Sequence, residues 1–136
     1  MKIKYLIPAF TALVLLTSVS KCDFYGTNNE GILEGKITIG PLCPVEKDPP
    51  DPDCLPTRET YEAYPVSIWT SSGKKKITVL NPSLDGKYSV SLNPGEYLLN
   101  LETSGYGPGG SNLPAYVTII PDQTTSFDID IDTGIR

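Results

Sequence analysis

The feature that most constrains the fold is a pair of alternating segments within residues 85–101. Asp85-Gly86 predicts a tight turn before the first segment, because glycine accepts the positive φ that such turns require. Pro94-Gly95 predicts a chain reversal between the two segments. Every second residue of each segment is apolar, as in a half-buried strand: Tyr88, Val90, Leu92, Tyr97, Leu99 and Leu101. The stretch therefore predicts a hairpin with one apolar face, which requires a second sheet to cover it.

The same alternation recurs between residues 32 and 131, and turn sequences separate the segments. No helical period is visible in this part of the chain. Short strands with this spacing are typical of an all-β fold in which two sheets pack face to face. We predict seven strands, near residues 32–39, 63–71, 74–80, 87–92, 96–102, 115–120 and 124–131.

Residues 1–21 have the pattern of an export signal. Lys2 and Lys4 precede an uncharged run over residues 5–16, and small polar residues follow it. The run is too short to remain as a membrane-spanning helix. Residues 22–31 carry Gly, Asn and acidic residues with little to pack, so we predict a short tether in front of a domain over residues 32–136.

Cys22 directly follows this signal, at the position that bacterial lipoprotein processing acylates. Lys21 stands where a small residue is usual, so ordinary cleavage after Ser20 is the competing outcome. The chain has three cysteines, and acylation of Cys22 would leave one pair. We therefore expect a lipid anchor on Cys22 that holds the exported protein at a membrane, with secretion or a periplasmic location as the alternative.

Residues 40–57 hold six prolines, a density that no strand ladder tolerates. Cys43 and Cys54 lie within this loop, and in an exported protein such a pair predicts a disulfide. Half of a zinc site is disfavoured because the chain has no histidine. A calcium site is a further alternative, but a solvated loop is favoured because no glycine-centred ligand spacing connects the acidic residues Glu46, Asp48, Asp51 and Asp53.

Three motifs of the chain resemble a known family. The motif D-G-K-Y-S-V-x-L-x-P-G-x-Y at residues 85–97 is similar to the core of carboxypeptidase regulatory-like domains, which have the transthyretin-like (prealbumin-like) β-sandwich. The motif G-P-x-C-P at residues 40–44 with Cys54, and the ending D-T-G-I-R, resemble a narrower group of small bacterial exported proteins or lipoproteins. The family usually has a Thr-Asp pair before the D-G turn, where this chain has residues 81–84. The resemblance implies a Greek-key sandwich and an accessory domain without catalytic residues.

The composition excludes several function classes. Without histidine there is no Ser-His-Asp triad and no His-assisted cysteine nucleophile. No glycine-rich phosphate loop follows a strand, so we expect no enzyme, no cofactor and no metal site. The formal net charge is −5, and it becomes −8 for residues 22–136 because residues 1–21 contain three lysines and no acid. This charge argues against nucleic acid and anionic lipid headgroups as partners.

Three functions remain from different classes, and the weakest is a small hydrolase on this fold. The first is a non-catalytic accessory, structural or protein-interaction domain that is tethered through Cys22. The alternative is a carbohydrate-binding module in which Trp69, Tyr64 and Tyr106 stack on sugar rings. Trp69 would point outward if Val66 faces the core, although packing under a neighbouring loop is favoured for so large an aromatic side chain. The sequence does not identify the protein or glycan partner.

Overall fold

The computed structural model describes residues 29–45, 47–103 and 110–136. This part of the chain forms nine β-strands, one α-helix (α1, Arg58–Ala63) and a single 3-10 turn (Pro52–Cys54). The strands are β1 (Gly31–Gly40), β2 (Val66–Thr70), β3 (Lys76–Val79), β4 (Lys87–Leu92), β5 (Gly95–Leu101), β6 (Gly110–Ser111), β7 (Ala115–Ile119), β8 (Thr124–Ser126) and β9 (Ile129–Asp132). No helix within the described ranges is long and apolar enough to cross a membrane.

The strands form two sheets, which confirms the predicted two-sheet β-sandwich. The larger sheet has the order β4-β1-β9-β6, and β8 pairs with β1 beside β9. In this sheet β4 runs antiparallel to β1, whereas β8 and β9 run parallel to it. The smaller sheet has the order β3-β2-β5-β7 and is antiparallel throughout.

The core lies between the inner faces of the two sheets. The alternating segments supply it as the sequence predicts: Tyr88 and Leu92 of β4 and Leu99 of β5 are buried. Other strands of both sheets add side chains that are 2% exposed or less, namely Leu33, Val66, Ile68, Ile119, Ile129 and Ile131. Each such side chain contributes about 1.5–3 kcal/mol by leaving water, which makes this layer the main source of stability.

The predicted hairpin over residues 85–101 is wrong in its pairing. β4 pairs with β1 in the larger sheet, whereas β5 pairs with β2 and β7 in the smaller one. The Asn93-Pro94 connection therefore carries the chain from one sheet to the other, and the two apolar stripes face each other across the core. Alternation shows which face of a strand is buried, but it does not identify the neighbouring strand.

The predicted strand over residues 124–131 is divided into β8 and β9 at Phe127. The backbone of Phe127 passes directly over Gly35, where a Cβ would overlap the carbonyl oxygen of Phe127. That carbonyl accepts a hydrogen bond from the Tyr88 hydroxyl, and the Phe127 N–H donates to the Glu34 carbonyl at 2.9 Å. The interruption is thus a close backbone crossing that depends on a glycine in β1.

The sequence pattern does not predict α1 because the helix has only six residues and buries only Tyr61. Thr57 caps its N-terminus: its hydroxyl accepts from the Thr60 N–H at 3.4 Å, and its own N–H donates to the Thr60 hydroxyl at 3.0 Å. This reciprocal pair satisfies two backbone donors at the helix start.

The two ends of the sandwich differ in their connections. We call the end where β1 begins the near end; its connections are the short turns 71–75, 93–94 and 120–123. The end where β1 finishes, about 30 Å away at the usual rise per residue, is the far end. It carries residues 41–65 with the disulfide and α1, the loop 80–86, and the last residues 133–136.

Candidate functional site

The far end is held together by the predicted disulfide. Cys43 and Cys54 are bonded, with their Cα atoms 5.6 Å apart. Inside the closed loop the Asp51 carboxylate accepts from the Asp53 N–H at 3.2 Å, and the Asp51 carbonyl accepts from the Cys54 N–H at 2.9 Å. These bonds fix the chain just before Leu55, which enters the surface described below.

The last residues are fastened to the start of the same loop. The Thr133 N–H donates to the Gly40 carbonyl at 3.0 Å, and the Thr133 hydroxyl donates to the Pro41 carbonyl. The Arg136 guanidinium donates to both carboxylate oxygens of Asp132, at 3.1 Å and 2.7 Å. These hydrogen bonds, together with one from the Gly134 N–H, lower the pKa of Asp132 to about 2. The G-P-x-C-P and D-T-G-I-R motifs therefore meet in one place.

An open groove of about 490 Å³ lies between β1, α1 and the two far-end loops. We call it the far-end groove and define it by the residues that form its floor and walls: Thr38, Ile39, Leu55, Pro56, Tyr61 and Leu84. The walls are apolar and accessible, because Leu55 is 50% exposed and Leu84 is 63% exposed. A smaller cavity of about 290 Å³ adjoins Leu55 on the side of the disulfide.

The floor of the far-end groove is the unpaired end of β1. Pairing with β4 stops at Lys36, and the Ile37 N–H makes the last bond on this side, to the Gly86 carbonyl at 2.8 Å. The carbonyls of Glu34 and Gly40 accept hydrogen bonds from the opposite side of the strand. The backbone N–H and C=O groups of even-numbered residues of β1 therefore point towards β8 and β9. Backbone groups alternate along a strand, and the N–H and C=O of Ile39 therefore face the groove. Neither has a partner among the described residues.

The charged side chains that line the groove are those of Lys36 and Asp85. The Ser83 hydroxyl donates to the Asp85 carboxylate and is the main cause of the lowered pKa of Asp85; the N–H and charge of Lys87 act in the same direction. Burial and the charge of Asp85 raise the pKa of Tyr61, whose hydroxyl donates to the Leu84 carbonyl at 3.4 Å. Asp85 is thus ionised and Tyr61 neutral at physiological pH.

The structure places Trp69 on the outer face of the smaller sheet, away from the far-end groove. Its ring is half-buried, and its Nε1 donates to the Ser67 hydroxyl at 2.7 Å. The Lys76 ammonium lies 5.2 Å from the ring centroid and is held by Glu102, with 2.6 Å between the charged atoms. One face of the indole is therefore in contact with a cation.

The other predicted residues do not join Trp69. Tyr64 is half-buried and follows α1 at the far end. Cys22 and Tyr106 lie outside the described residues. The sequence reasoning missed Tyr116, which is 61% exposed and shares the outer face with Trp69 through the cross-strand neighbour Leu98. Alternation within residues 115–119 places Tyr116 opposite the buried Val117, and this pattern could have identified it.

Within the described ranges, no three Asp, Glu or Cys side chains lie close enough together to hold a metal ion. The acidic loop residues Asp48, Asp51 and Asp53 are described, whereas Glu46 is not. Asp51 is paired instead with Lys47, at 3.6 Å between the charged atoms.

Comparisons with known proteins support the fold and nothing finer. No protein-family model and no curated protein matches the chain. Among solved structures, the chain is similar to GBS52, a minor pilin of Streptococcus agalactiae, with 17% identity, a TM-score of 0.50 and coverage of 76% of this chain and 44% of that one. A DUF3823 family protein from Parabacteroides merdae matches with 22% identity, a TM-score of 0.43 and coverage of 76% and 46%. The chain thus spans less than half the length of either structure.

Proposed function

We propose that this chain is an exported accessory domain that acts by binding another protein, without catalysis, while a lipid on Cys22 tethers it to a membrane. The observation that carries the proposal is the opposite placement of its two ends. Because β1 begins at the near end, a tether over residues 22–31 would join the sandwich there, whereas the long loops, the disulfide and the far-end groove lie at the other end. The resemblance to carboxypeptidase regulatory-like domains supports the same kind of function.

The start of β1 is fixed to the near end by hydrogen bonds on both sides of Gly31. The Asn29 amide donates to the Asp122 carboxylate at 2.7 Å, and the Asp122 N–H donates to the Glu30 carbonyl at 3.2 Å. The Ile32 N–H then donates to the Gln123 carbonyl at 2.9 Å. An anchor on Cys22 would hold this end towards the membrane and leave the far end accessible to a partner.

The carboxylates with lowered pKa values support a binding function, because hydrogen bonds within the fold are the main cause of each shift. Asp85 is bonded to Ser83, Asp132 to Arg136, and Glu102 to Lys76. Catalytic groups are commonly perturbed by a combination of burial and unlike neighbours inside a cleft. The three carboxylates instead sit at the surface in pairs or caps of ordinary structural type.

Labelling with a fatty-acid analogue in the native host tests the tether. We expect the wild type to take up label in the membrane fraction and Cys22→Ser to take up none. Unlabelled wild-type protein in the medium, cleaved after Ser20, would show that the protein is secreted without a lipid.

Photo-crosslinking in the native host tests the binding function. A photoreactive amino acid replaces Leu84 at the far end or, as the matched control, the exposed Asn93 at the near end. We expect a protein adduct from position 84 and none from position 93. Adducts from position 93 alone, or from neither position, would contradict the proposal.

A carbohydrate-binding function is the second candidate, because Trp69, Leu98 and Tyr116 form a row across three neighbouring strands. The two aromatic residues are two strands apart, about 10 Å at the usual strand spacing. Lys76 would have to leave the indole before a sugar could stack on that face. Binding on a glycan array that disappears in both Trp69→Ala and Tyr116→Ala would support this candidate, and unchanged binding would remove it.

A further inference from the structure

We infer that the far-end groove binds an extended peptide segment of the partner, which adds as a short strand to the open edge of β1 and places an apolar side chain between Leu55 and Leu84. The inference rests on the proposed protein-binding function and specifies its site and the chemistry of its ligand. The observation that carries it is the coincidence of an unpaired strand edge and an accessible apolar groove.

The backbone of Ile39 provides the polar part of the site. Its N–H and C=O face the groove, and a peptide strand lying there would supply the missing acceptor and donor. The edge is held rigidly, because the other side of β1 pairs with β9 and the Ile39 side chain is only 4% exposed within the core. The bound strand would be short. On one side of Ile39, the Gly86 carbonyl already accepts the hydrogen bond of the Ile37 N–H, and on the other side the strand reaches Pro41.

Leu55 and Leu84 provide the apolar part of the site. They are among the more exposed large apolar side chains of the described residues, and they stand on opposite loops around one cavity. The disulfide fixes the loop before Leu55, and the Tyr61 hydroxyl holds the carbonyl of Leu84. Both walls are therefore positioned before a ligand arrives, which lowers the ordering cost of binding.

The net charge of the segment that forms one wall of the groove indicates which type of residue should lie beside the apolar anchor of the peptide. The segment 47–62, which carries Leu55 and Pro56, contains five acidic residues and two basic ones. A lysine or arginine beside the apolar anchor would complement this segment. The expected ligand is thus an extended segment with an aliphatic or aromatic anchor and a neighbouring basic residue.

The test uses random 12-residue peptides displayed on phage and the full chain purified in detergent. Enriched sequences are synthesised, and their affinities are measured for the wild type and two variants. Leu84→Asp places a charge in the groove, and Ile77→Asp is the matched control, because Ile77 is a 41% exposed apolar residue of β3, an edge strand of the smaller sheet, and does not line the groove. We expect Leu84→Asp to weaken binding at least about tenfold, and Ile77→Asp to change it by no more than about twofold. Circular dichroism checks that both variants are folded.

Amide hydrogen exchange distinguishes strand addition from any other contact at the groove. We expect the bound peptide to slow exchange at the Ile39 N–H by about tenfold or more, because that group gains an acceptor. The inference is overturned if no peptide is enriched, if the enriched peptides bind Leu84→Asp as tightly as wild type, or if exchange at Ile39 is unchanged.

Two further outcomes have distinct meanings. A crosslink to a protein from position 84, without any peptide binding, would overturn the strand-addition inference while leaving the proposed protein-binding function in place. Sedimentation that shows a wild-type dimer which Leu84→Asp abolishes would identify the occupant as a second copy of this chain, and would likewise overturn the inference.

Discussion

The near and far ends of β1 are built by different means. At the near end the backbone itself is crowded: a Cβ on Gly31 would overlap the Ile120 carbonyl oxygen and lie 2.6 Å from Cγ2 of Ile119. At the far end a Cβ on Gly40 would meet nothing within 4 Å. The chain around Gly40 is held by a disulfide, a helix cap and side-chain hydrogen bonds. Crowded backbone occurs in the neighbouring loop at Gly86, where a Cβ would overlap the Ile37 carbonyl oxygen. Single attachments of the far end, such as the disulfide or the helix cap, can therefore be removed without disturbing the sandwich. This property suits a surface that recognises a partner.

The largest effect should come from adding one methyl group at the near end of β1, and the same change at the far end is the comparison. We expect Gly31→Ala to lower the free energy of unfolding by about 3 kcal/mol, because backbone atoms must move to admit the Cβ. Gly40→Ala should change it by less than about 0.5 kcal/mol. Urea denaturation of the two variants measures both values. Equal losses at the two positions would refute the contrast between the ends.

The second effect concerns the disulfide at the far end. Reduction, or the double variant Cys43→Ser with Cys54→Ser, should cost at most about 3 kcal/mol by loop entropy, and less if the prolines already stiffen the unfolded loop. The strand signal in circular dichroism should persist, because the buried side chains of both sheets lie elsewhere. Loss of that signal at room temperature would show that the sandwich depends on the disulfide. Mass spectrometry of the non-reduced protein checks the bond itself, because the disulfide form is lighter than the reduced form by two hydrogen atoms.

The strands of this fold could be predicted because alternation is local. Tyr88, Leu92 and Leu99 are buried as their spacing predicts. The partner of each strand could not be predicted, because pairing joins residues far apart in sequence; β1 contacts β8 and β9 from the opposite end of the chain. The crossing at Gly35 could not be predicted for the same reason, since no sequence neighbour of Gly35 indicates that the backbone of Phe127 packs against it.

The candidate site was less predictable than the fold. Cys43 and Cys54 could be paired from the number of cysteines and the predicted export signal. The far-end groove could not be inferred, because it requires the open edge at Ile39, α1 and the loop of Leu84 to come together. Exposed aromatics are visible in a sequence, whereas an unpaired strand edge appears only once the length of the neighbouring strand is known.

A third and smaller effect should come from the cap of α1. Thr57→Ala removes the hydroxyl that accepts from the Thr60 N–H, and such changes cost about 1 kcal/mol of helix stability. Because α1 buries only Tyr61, we expect the loss to appear as faster amide exchange within α1. Amides of β1 should exchange as in the wild type, and Thr57→Ser serves as the control that keeps the cap. Faster exchange throughout β1 would mean that the far end unfolds together with the sandwich.

The smallest effect should be a change in the pKa of one carboxyl group, that of Asp132 in its ion pair with Arg136. The pKa of Asp132 is lowered from 3.8 to about 2, chiefly by the hydrogen bonds from the guanidinium. A lowered folded-state pKa means that the ion pair stabilises the ionised form of Asp132. The contribution of the pair to the stability of the fold is fully present above about pH 4 and is lost as the pH falls through about 2. The carboxyl carbon shift of Asp132, followed by NMR against pH, should show this titration.

Arg136→Ala should raise that pKa towards 3.8, though not fully, because the Gly134 N–H still donates to the carboxylate at 2.9 Å. Arg136→Lys should give an intermediate value, because lysine keeps the charge but loses the paired donors. If Arg136→Ala leaves the titration of Asp132 near 2, the carboxylate is held by the backbone alone. The far end would then resemble the near end in this respect, and the contrast between the two would rest on the disulfide and the helix cap.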